Sequence, residues 1–170
     1  MALEHTVNAY EPTVAQKSEL NIEEKKKIAA YAASLIQPED FVYLDAGTTT
    51  GYMLEHLNGS RATFVTNGVS HARTGPDGNP CAADRRGVER LHGSGDRKPG
   101  HADAEELSFY QGLFGTNGMT QREGFTTPEA NEALVKRTAM EQCLEKYVVS
   151  DSSKFRTDQC GDVLFHLKGR

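Results

Sequence analysis

The chain has 170 residues and a formal net charge of −5, from 19 lysines and arginines against 24 aspartates and glutamates. This length supports one domain with a real core. The charge argues against a chain that grips nucleic acid by itself, because phosphate neutralisation needs a clustered excess of Lys and Arg. Cys81, Cys143 and Cys160 show neither disulfide nor metal spacing, which suits a reducing compartment. No signal peptide and no apolar run of membrane length is visible, so the cytoplasm is the expected location and no membrane partner is implied.

Residues 1–20 carry little pattern and read as a tail or linker. Asn21 with Glu24 forms a capping-box pattern for a helix whose apolar positions Ile28, Ala32, Leu35 and Ile36 share one face. Lys25-Lys26-Lys27, after Glu23-Glu24, reads as its solvated face, and Pro38 ends it. The apolar run Phe41-Val42-Tyr43-Leu44 is a buried strand. Asp45-Ala46-Gly47-Thr48-Thr49-Thr50 follows and leads into a helix to Leu57. A second strand, 62–66, ends in Thr66-Asn67-Gly68. Leu107 to Phe114 is a third, ending in Gly115-Thr116-Asn117-Gly118. Thr127 as N-cap and Pro128 at the first helical position open a helix over about 129–146. Its face is Ala133, Val135 or Lys136, Met140, Cys143 and Leu144, with Lys136 in a salt bridge or facing water. Strand 147–150 then ends in Asp151-Ser152-Ser153-Lys154.

Strands alternating with helices define an α/β fold, a mostly parallel sheet with flanking helices. Ligands of such sheets sit outside the carboxyl ends of the strands. The four polar turns 45–50, 66–68, 115–118 and 151–154 therefore collect on one edge. Among them Asp45–Thr50 carries the clearest chemistry. Gly47 lets the backbone approach a ligand, the first N–H groups of the following helix point at it, and three threonine hydroxyls add donors. Asp45 can accept from sugar hydroxyls. The run reads either as a phosphate or phosphosugar cradle or as a Thr N-cap after a tight turn.

Taken in order, the Asp-x-Gly-Thr-Thr-Thr loop, the Thr-Asn-Gly turn, Gly115–Gly118, Gly124-Phe125-Thr126-Thr127-Pro128, Glu132-Ala133-Leu134-Val135-Lys136 and Asp151-x-Ser153-Lys154-Phe155 match DeoR-family transcriptional regulators. The chain resembles their carboxyl-terminal effector-sensing domain over roughly residues 12–74 and 107–155, with repressors of lactose or fructose phosphotransferase operons as a near likeness. The resemblance implies a fold related to ribose-5-phosphate isomerase and a phosphorylated sugar as effector. It also implies a homo-oligomer and DNA binding through an amino-terminal winged helix-turn-helix. That module is absent from this sequence, which begins in what would be the linker and should not bind an operator by itself. By the same resemblance Asp45, Gly47, Thr48, Thr49 and Thr50 hold the phosphate and part of the sugar. Asn67 and Asn117 line the pocket, and Asp151 and Lys154 close it. No catalytic residue, metal or cofactor is implied. A mobile ammonium beside a helix N-terminus suits a phosphate dianion, and carboxylates suit hydroxyls. On position alone, Lys154 reads equally as an exposed lysine past a strand.

Residues 75–106 depart from this pattern. Twelve of these 32 residues are charged, Val88 and Leu91 are the only large aliphatics, and no strand or amphipathic helix is visible. A compact α/β domain has no use for so long a structureless stretch. Codons for Gly75 to Arg86 can, read one base later, encode Ala-Gln-Met-Gly-Ile-Pro-Val-Leu-Leu-Thr-Gly-Gly, a turn, a buried strand and a glycine turn. The segment is read here as out of frame or disordered, rejoining the visible frame near Leu107. Residues 156–170 read likewise: one surplus base after the Phe155 codon would hide Gly-Leu-Ile-Ser-Val-Val-Thr-Phe. The division expected is thus a linker remnant over 1–20, a sensor domain over 21–155, and an out-of-frame tail.

His92, His101 and Cys81 match no usual zinc spacing. His71 reads as a helix-start residue rather than a base, and Gly93-Ser94-Gly95 lacks the setting of a nucleophile elbow. Three functions compete: an effector sensor, a sugar-phosphate isomerase using a base such as Asp45, Asp151 or Glu129, and a degraded relative that no longer folds. The motif order favours the sensor.

Overall fold

The computed structural model describes residues 7–8, 12–74, 89–92, 108–120, 124–155 and 158–159. The body is a five-stranded sheet in the order β4-β3-β2-β5-β8. Its strands are β2 (Phe41–Leu44), β3 (Thr63–Thr66), β4 (Glu89–His92), β5 (Phe109–Phe114) and β8 (Cys143–Val148). β2 pairs in parallel with β3 and β5, and β5 with β8, while β4 runs antiparallel on β3. The expected parallel α/β sheet is therefore observed. The chain steps from β2 to β3 on one side and later to β5 on the other, so the sheet changes direction at the β2–β5 boundary.

Both faces of the sheet are covered, which is why the central strand β2 is written as a continuous apolar run. Val42, Leu44 and Phe64 face α2 (Ile22–Ser34) through Ala29 and Ala32, and the 3-10 turn Tyr52–His56 through Met53 and Leu54. Tyr43, Val65, Phe109 and Phe114 face α5 (Ala130–Glu141) through Ala139 and Met140. The Tyr43 ring lies 5.4 Å from that of Phe109 and 5.5 Å from that of Phe114. Burying each large side chain of this kind contributes about 1.5–3 kcal/mol. Gly112 of β5 is a close approach: a Cβ there would come within 2.4 Å of the Phe114 ring and 2.5 Å of Cys143 Sγ.

Four short elements complete the body: α3 (Thr48–Gly51), α4 (Val69–Thr74) and the hairpin of β6 (Gly118–Thr120) with β7 (Gly124–Thr126). In addition, β1 (Val7–Asn8) pairs in parallel with β9 (Asp158–Gln159). Among the described residues no helix is long and apolar enough to cross a membrane, no His/Cys/Asp/Glu group could hold a metal ion, and Cys143 is a free buried thiol.

Several sequence expectations are corrected. Residues 1–20 are not featureless: α1 (Val14–Glu19) forms behind a true capping box, with Gln16 N–H donating to Thr13 Oγ1 at 3.3 Å and Thr13 N–H to Gln16 Oε1 at 2.9 Å. Asn21 makes no capping bond; it is left-handed, at φ 53°, and its amide is used elsewhere. Lys25 is buried at 4% exposure instead of solvated. Glu129, not Thr127, is the N-cap of α5, which ends at Glu141, and β8 begins at Cys143 instead of residue 147. Val135 and Leu144 are exposed, so Lys136 takes the inward position. Within 75–106, Glu89–His92 is a strand where none was expected. The rest of that segment, Cys81, Cys160 and most of the 156–170 tail lie outside the described residues.

Candidate ligand-binding site

The loops after β2, β3, β5 and β8 meet around a cavity of about 1120 Å³ at the carboxyl edge of the parallel strands. Gly47, Thr48, Thr49, Asn67, Asn117, Asp151 and Lys154 line it, so the structure brings together seven of the nine residues expected there. Asp45 and Thr50 lie behind the wall.

Thr50 is fully buried, and its hydroxyl donates to the Asp45 carbonyl at 2.6 Å while accepting from Gly47 N–H at 2.9 Å. It shapes the loop. Asp45, at 0% exposure, accepts from Gly115 N–H at 2.9 Å and is ion-paired with Lys136, tying the ends of β2 and β5 to α5. Lys136, at 1% exposure, also reaches Glu132 at 3.1 Å. Burial pulls the Lys136 ammonium down, but the two carboxylates more than offset it, so its pKa ends above the ordinary lysine value. The Asp45 carboxylate is thus engaged by protein groups. Its Oδ1 is buried with no hydrogen-bond partner among the described residues.

The loop is braced from β3 as well. Asn67 Oδ1 accepts from Ala46 N–H at 2.8 Å. His71 on α4 lies 3.1 Å from the Gly47 carbonyl through Nε2, which therefore carries the proton. A Cβ at Gly68 would sit 3.0 Å from the His71 ring, so the Thr-Asn-Gly turn is glycine to let the imidazole in. Burial lowers the His71 pKa, with the Gly47 carbonyl and Asp45 opposing. Held in this way, the loop opens into α3, whose first-turn N–H groups at Thr48 and Thr49 have no partner within the helix.

A group of lysines gathers at one end of the cavity. Lys17, Lys25 and Lys154 all line it. Lys25 Nζ donates to the Lys17 carbonyl. Burial is the largest influence on Lys25 and lowers its pKa; Asp151 opposes this, and the neighbouring Lys154 and Lys17 add to the lowering. Asp151 Oδ1 accepts from Asn21 Nδ2 at 3.1 Å, from Ser153 N–H at 2.9 Å and from the Ser153 hydroxyl. Burial would raise the Asp151 pKa, but the Ser153 bonds, Lys154 and Asn21 outweigh it and hold the carboxyl ionised below its usual range. Lys17, Lys25 and Lys154 thus share this end of the cavity with the Asp151 carboxylate. Sequence reasoning missed Lys25 because a lysine triplet after two glutamates is the ordinary signature of a water-facing helix. Lys136 it placed in a salt bridge or in water; the bridge is observed, and it is buried.

A mostly parallel α/β sheet with a crevice at its switch point is the architecture of a small-molecule-binding domain. The chain belongs to the DeoR C terminal sensor domain family, whose profile matches residues 20–84 and 88–164. It is 36% identical over 155 residues to the uncharacterized HTH-type transcriptional regulator FruR of Bacillus subtilis, covering 85% of this chain and 59% of that protein. It is 32% identical to the putative aga operon transcriptional repressor of Escherichia coli O157:H7, over 88% of this chain and 57% of the relative. To the lactose phosphotransferase system repressor of Streptococcus mutans it is 27% identical, over 82% and 57%. The chain thus spans somewhat more than half the length of these regulators. Its fold is similar to ribose 5-phosphate isomerase A from Methanocaldococcus jannaschii, with a TM-score of 0.57 at 12% identity over 79% of this chain and 55% of that one.

Proposed function

We propose that this chain senses a phosphorylated sugar or sugar derivative for a transcriptional repressor of sugar metabolism, binding it without turnover. The approach of Lys25 and Lys154 at one end of the cavity, on the same wall as the Gly47–Thr49 loop, carries this reading. Ammonium groups so placed suit the roughly −1.5 to −2 charge of a phosphate group at neutral pH. The first turn of α3, with the Thr48 and Thr49 hydroxyls, offers further donors. Asn67, Asn117 and Asp151 supply groups for sugar hydroxyls, while Asp45, Thr50 and Gly47 fix the loop. The names of the relatives, transcriptional regulators and repressors that include a lactose phosphotransferase system repressor, support the regulatory role. In this reading the protein is a cytoplasmic homo-oligomer that reaches DNA through a separate helix-turn-helix segment.

An isomerase reading draws on the fold alone. It needs a carboxylate free to take a proton from a sugar carbon. Asp45 is paired with Lys136, Glu132 is bound to the same ammonium, and Asp151 accepts three hydrogen bonds. Glu129 and Glu55 are the other carboxylates on the cavity wall.

Calorimetric titration of the full chain with a panel of pentose and hexose phosphates, alongside a chromatographic assay for isomers, tests the proposal. At least one sugar phosphate binds, no isomer forms, and Lys25→Met weakens binding about 10- to 100-fold, the worth of one hydrogen bond to a charged group. No heat, and no rise in the unfolding midpoint with any member, overturns the reading. Turnover establishes the enzyme instead.

A further inference from the structure

Lys136 lines the cavity, yet it has little to give a ligand. An ammonium carries three N–H donors. Here three protein acceptors surround Nζ: the Asp45 carboxylate, the Gly115 carbonyl at 3.3 Å and Glu132 Oε1 at 3.1 Å. What this buried ion presents to the cavity is therefore its third partner. Glu132 stands one helical turn before Lys136 on α5, in the i,i+4 relation that sets both on one face. One of its carboxylate oxygens is held by the ammonium, while its side chain keeps 30% exposure on the cavity wall.

The wall carries as many carboxylates as lysines, four of each, so net charge alone does not select a ligand and placement has to. The carboxylates are not alike. Glu55 and Glu129 are exposed, and fixing such side chains against a ligand costs rotamer freedom. Asp151 already accepts three hydrogen bonds from Asn21 and Ser153. Glu132 is both ordered and still able to accept: a carboxylate has about four lone-pair sites, and Lys136 takes one. A group ordered in advance binds at a lower cost. Its charge also discriminates, because a carboxylate repels phosphate oxygens and accepts from hydroxyls.

We propose that Glu132 is a specificity-determining residue of this cavity: fixed by Lys136, it accepts a hydrogen bond from a sugar hydroxyl and so separates sugar phosphates from inorganic phosphate. This rests on the reading that the cavity binds a phosphorylated sugar, and it adds the side chain that recognises the sugar part.

Calorimetric titration of the full chain with inorganic phosphate, and with the tightest-binding member of the pentose and hexose phosphate panel, tests it. The parent binds the sugar phosphate more tightly than inorganic phosphate. Glu132→Gln keeps an acceptor for Lys136 but loses one carboxylate oxygen. It weakens the sugar phosphate about tenfold, the worth of one hydrogen bond to a charged group, and leaves inorganic phosphate within about twofold. Glu132→Asp, which keeps the charge but withdraws it by one methylene, gives the same selective loss. Equal weakening of both ligands marks Glu132 as a brace for Lys136 and overturns the proposal, as does unchanged binding of both. A parent that binds the sugar phosphate no better than inorganic phosphate overturns it too, and leaves an anion site standing. Absence of binding by either ligand to the parent overturns it together with the sensor reading.

Discussion

Lys136 and Asp45 are almost wholly withdrawn from water, at 1% and 0% exposure, and removing two ions from water costs several kcal/mol each. The pair is tolerable because each ion is further satisfied, Asp45 by Gly115 N–H and Lys136 by Glu132. Breaking one side is then worse than removing both. Lys136→Met leaves a buried uncompensated carboxylate and lowers stability by about 3–5 kcal/mol in urea unfolding, while Asp45→Asn with Lys136→Met recovers much of the loss. His71 adds a pH dependence of known sign. Its folded pKa lies below the ordinary 6.5, so the unfolded chain binds the proton more readily. Stability is therefore full above pH 6.5 and falls as the pH drops below it. His71→Gln, which can still donate to the Gly47 carbonyl, flattens that fall between about pH 7.5 and 5.5, as read from urea midpoints at each pH. The loop chemistry was legible in Asp45–Thr50 because glycine and hydroxyl residues at a strand end have few other uses. Which member lines the cavity was not, since Asp45 and Thr50 differ from Thr48 and Thr49 only in the direction their side chains take.

At the scale of elements, the sheet was readable where strands are covered on both faces. β2 is an apolar run, β3 and β5 carry Phe64-Val65, Phe109-Tyr110 and Leu113-Phe114, and each strand closes in a polar turn. β8 was read four residues too late because it is an edge strand: Leu144, Glu145 and Lys146 are all exposed and carry no apolar alternation. α1 was missed for the related reason that it buries nothing. The β6–β7 hairpin spans too few residues to show a period. Beside the parallel ladder that joins β5 to β8, the chain is tightly packed at Gly112. Gly112→Ala forces a methyl group into the Phe114 ring and Cys143 Sγ and costs about 1–3 kcal/mol, as overpacking does. Adding Cys143→Ala relieves one of the two contacts and returns part of that loss in the same urea assay.

For the molecule as a whole, the site exists only through tertiary structure: four loops from distant parts of the chain, a lysine from α2 and another from α5 meet at one edge. Residues 75–106 bear on that assembly. The frame-shifted reading proposes that the natural polypeptide carries a buried strand where this sequence is polar, and it predicts a missing or extra base between the codons for Thr74 and Leu107 and again between those for Lys154 and Arg170. Resequencing the coding DNA decides this. If the DNA encodes the chain as written and its shifted frame is polar as well, the idea fails and the segment is an insertion in its own right.

The Asp45–Lys136 pair also sets a timetable for synthesis. The two residues are 91 positions apart, and at about 5–20 residues per second a ribosome needs roughly 5–18 s to bridge them. Throughout that interval the strand end at Asp45 lacks its counter-ion, and so it has no reason to leave water. The Gly-Thr loop, first of the four to be translated, is therefore among the last to acquire its final shape. A nascent chain stalled before residue 136 presents β2 and β3 without a finished pocket.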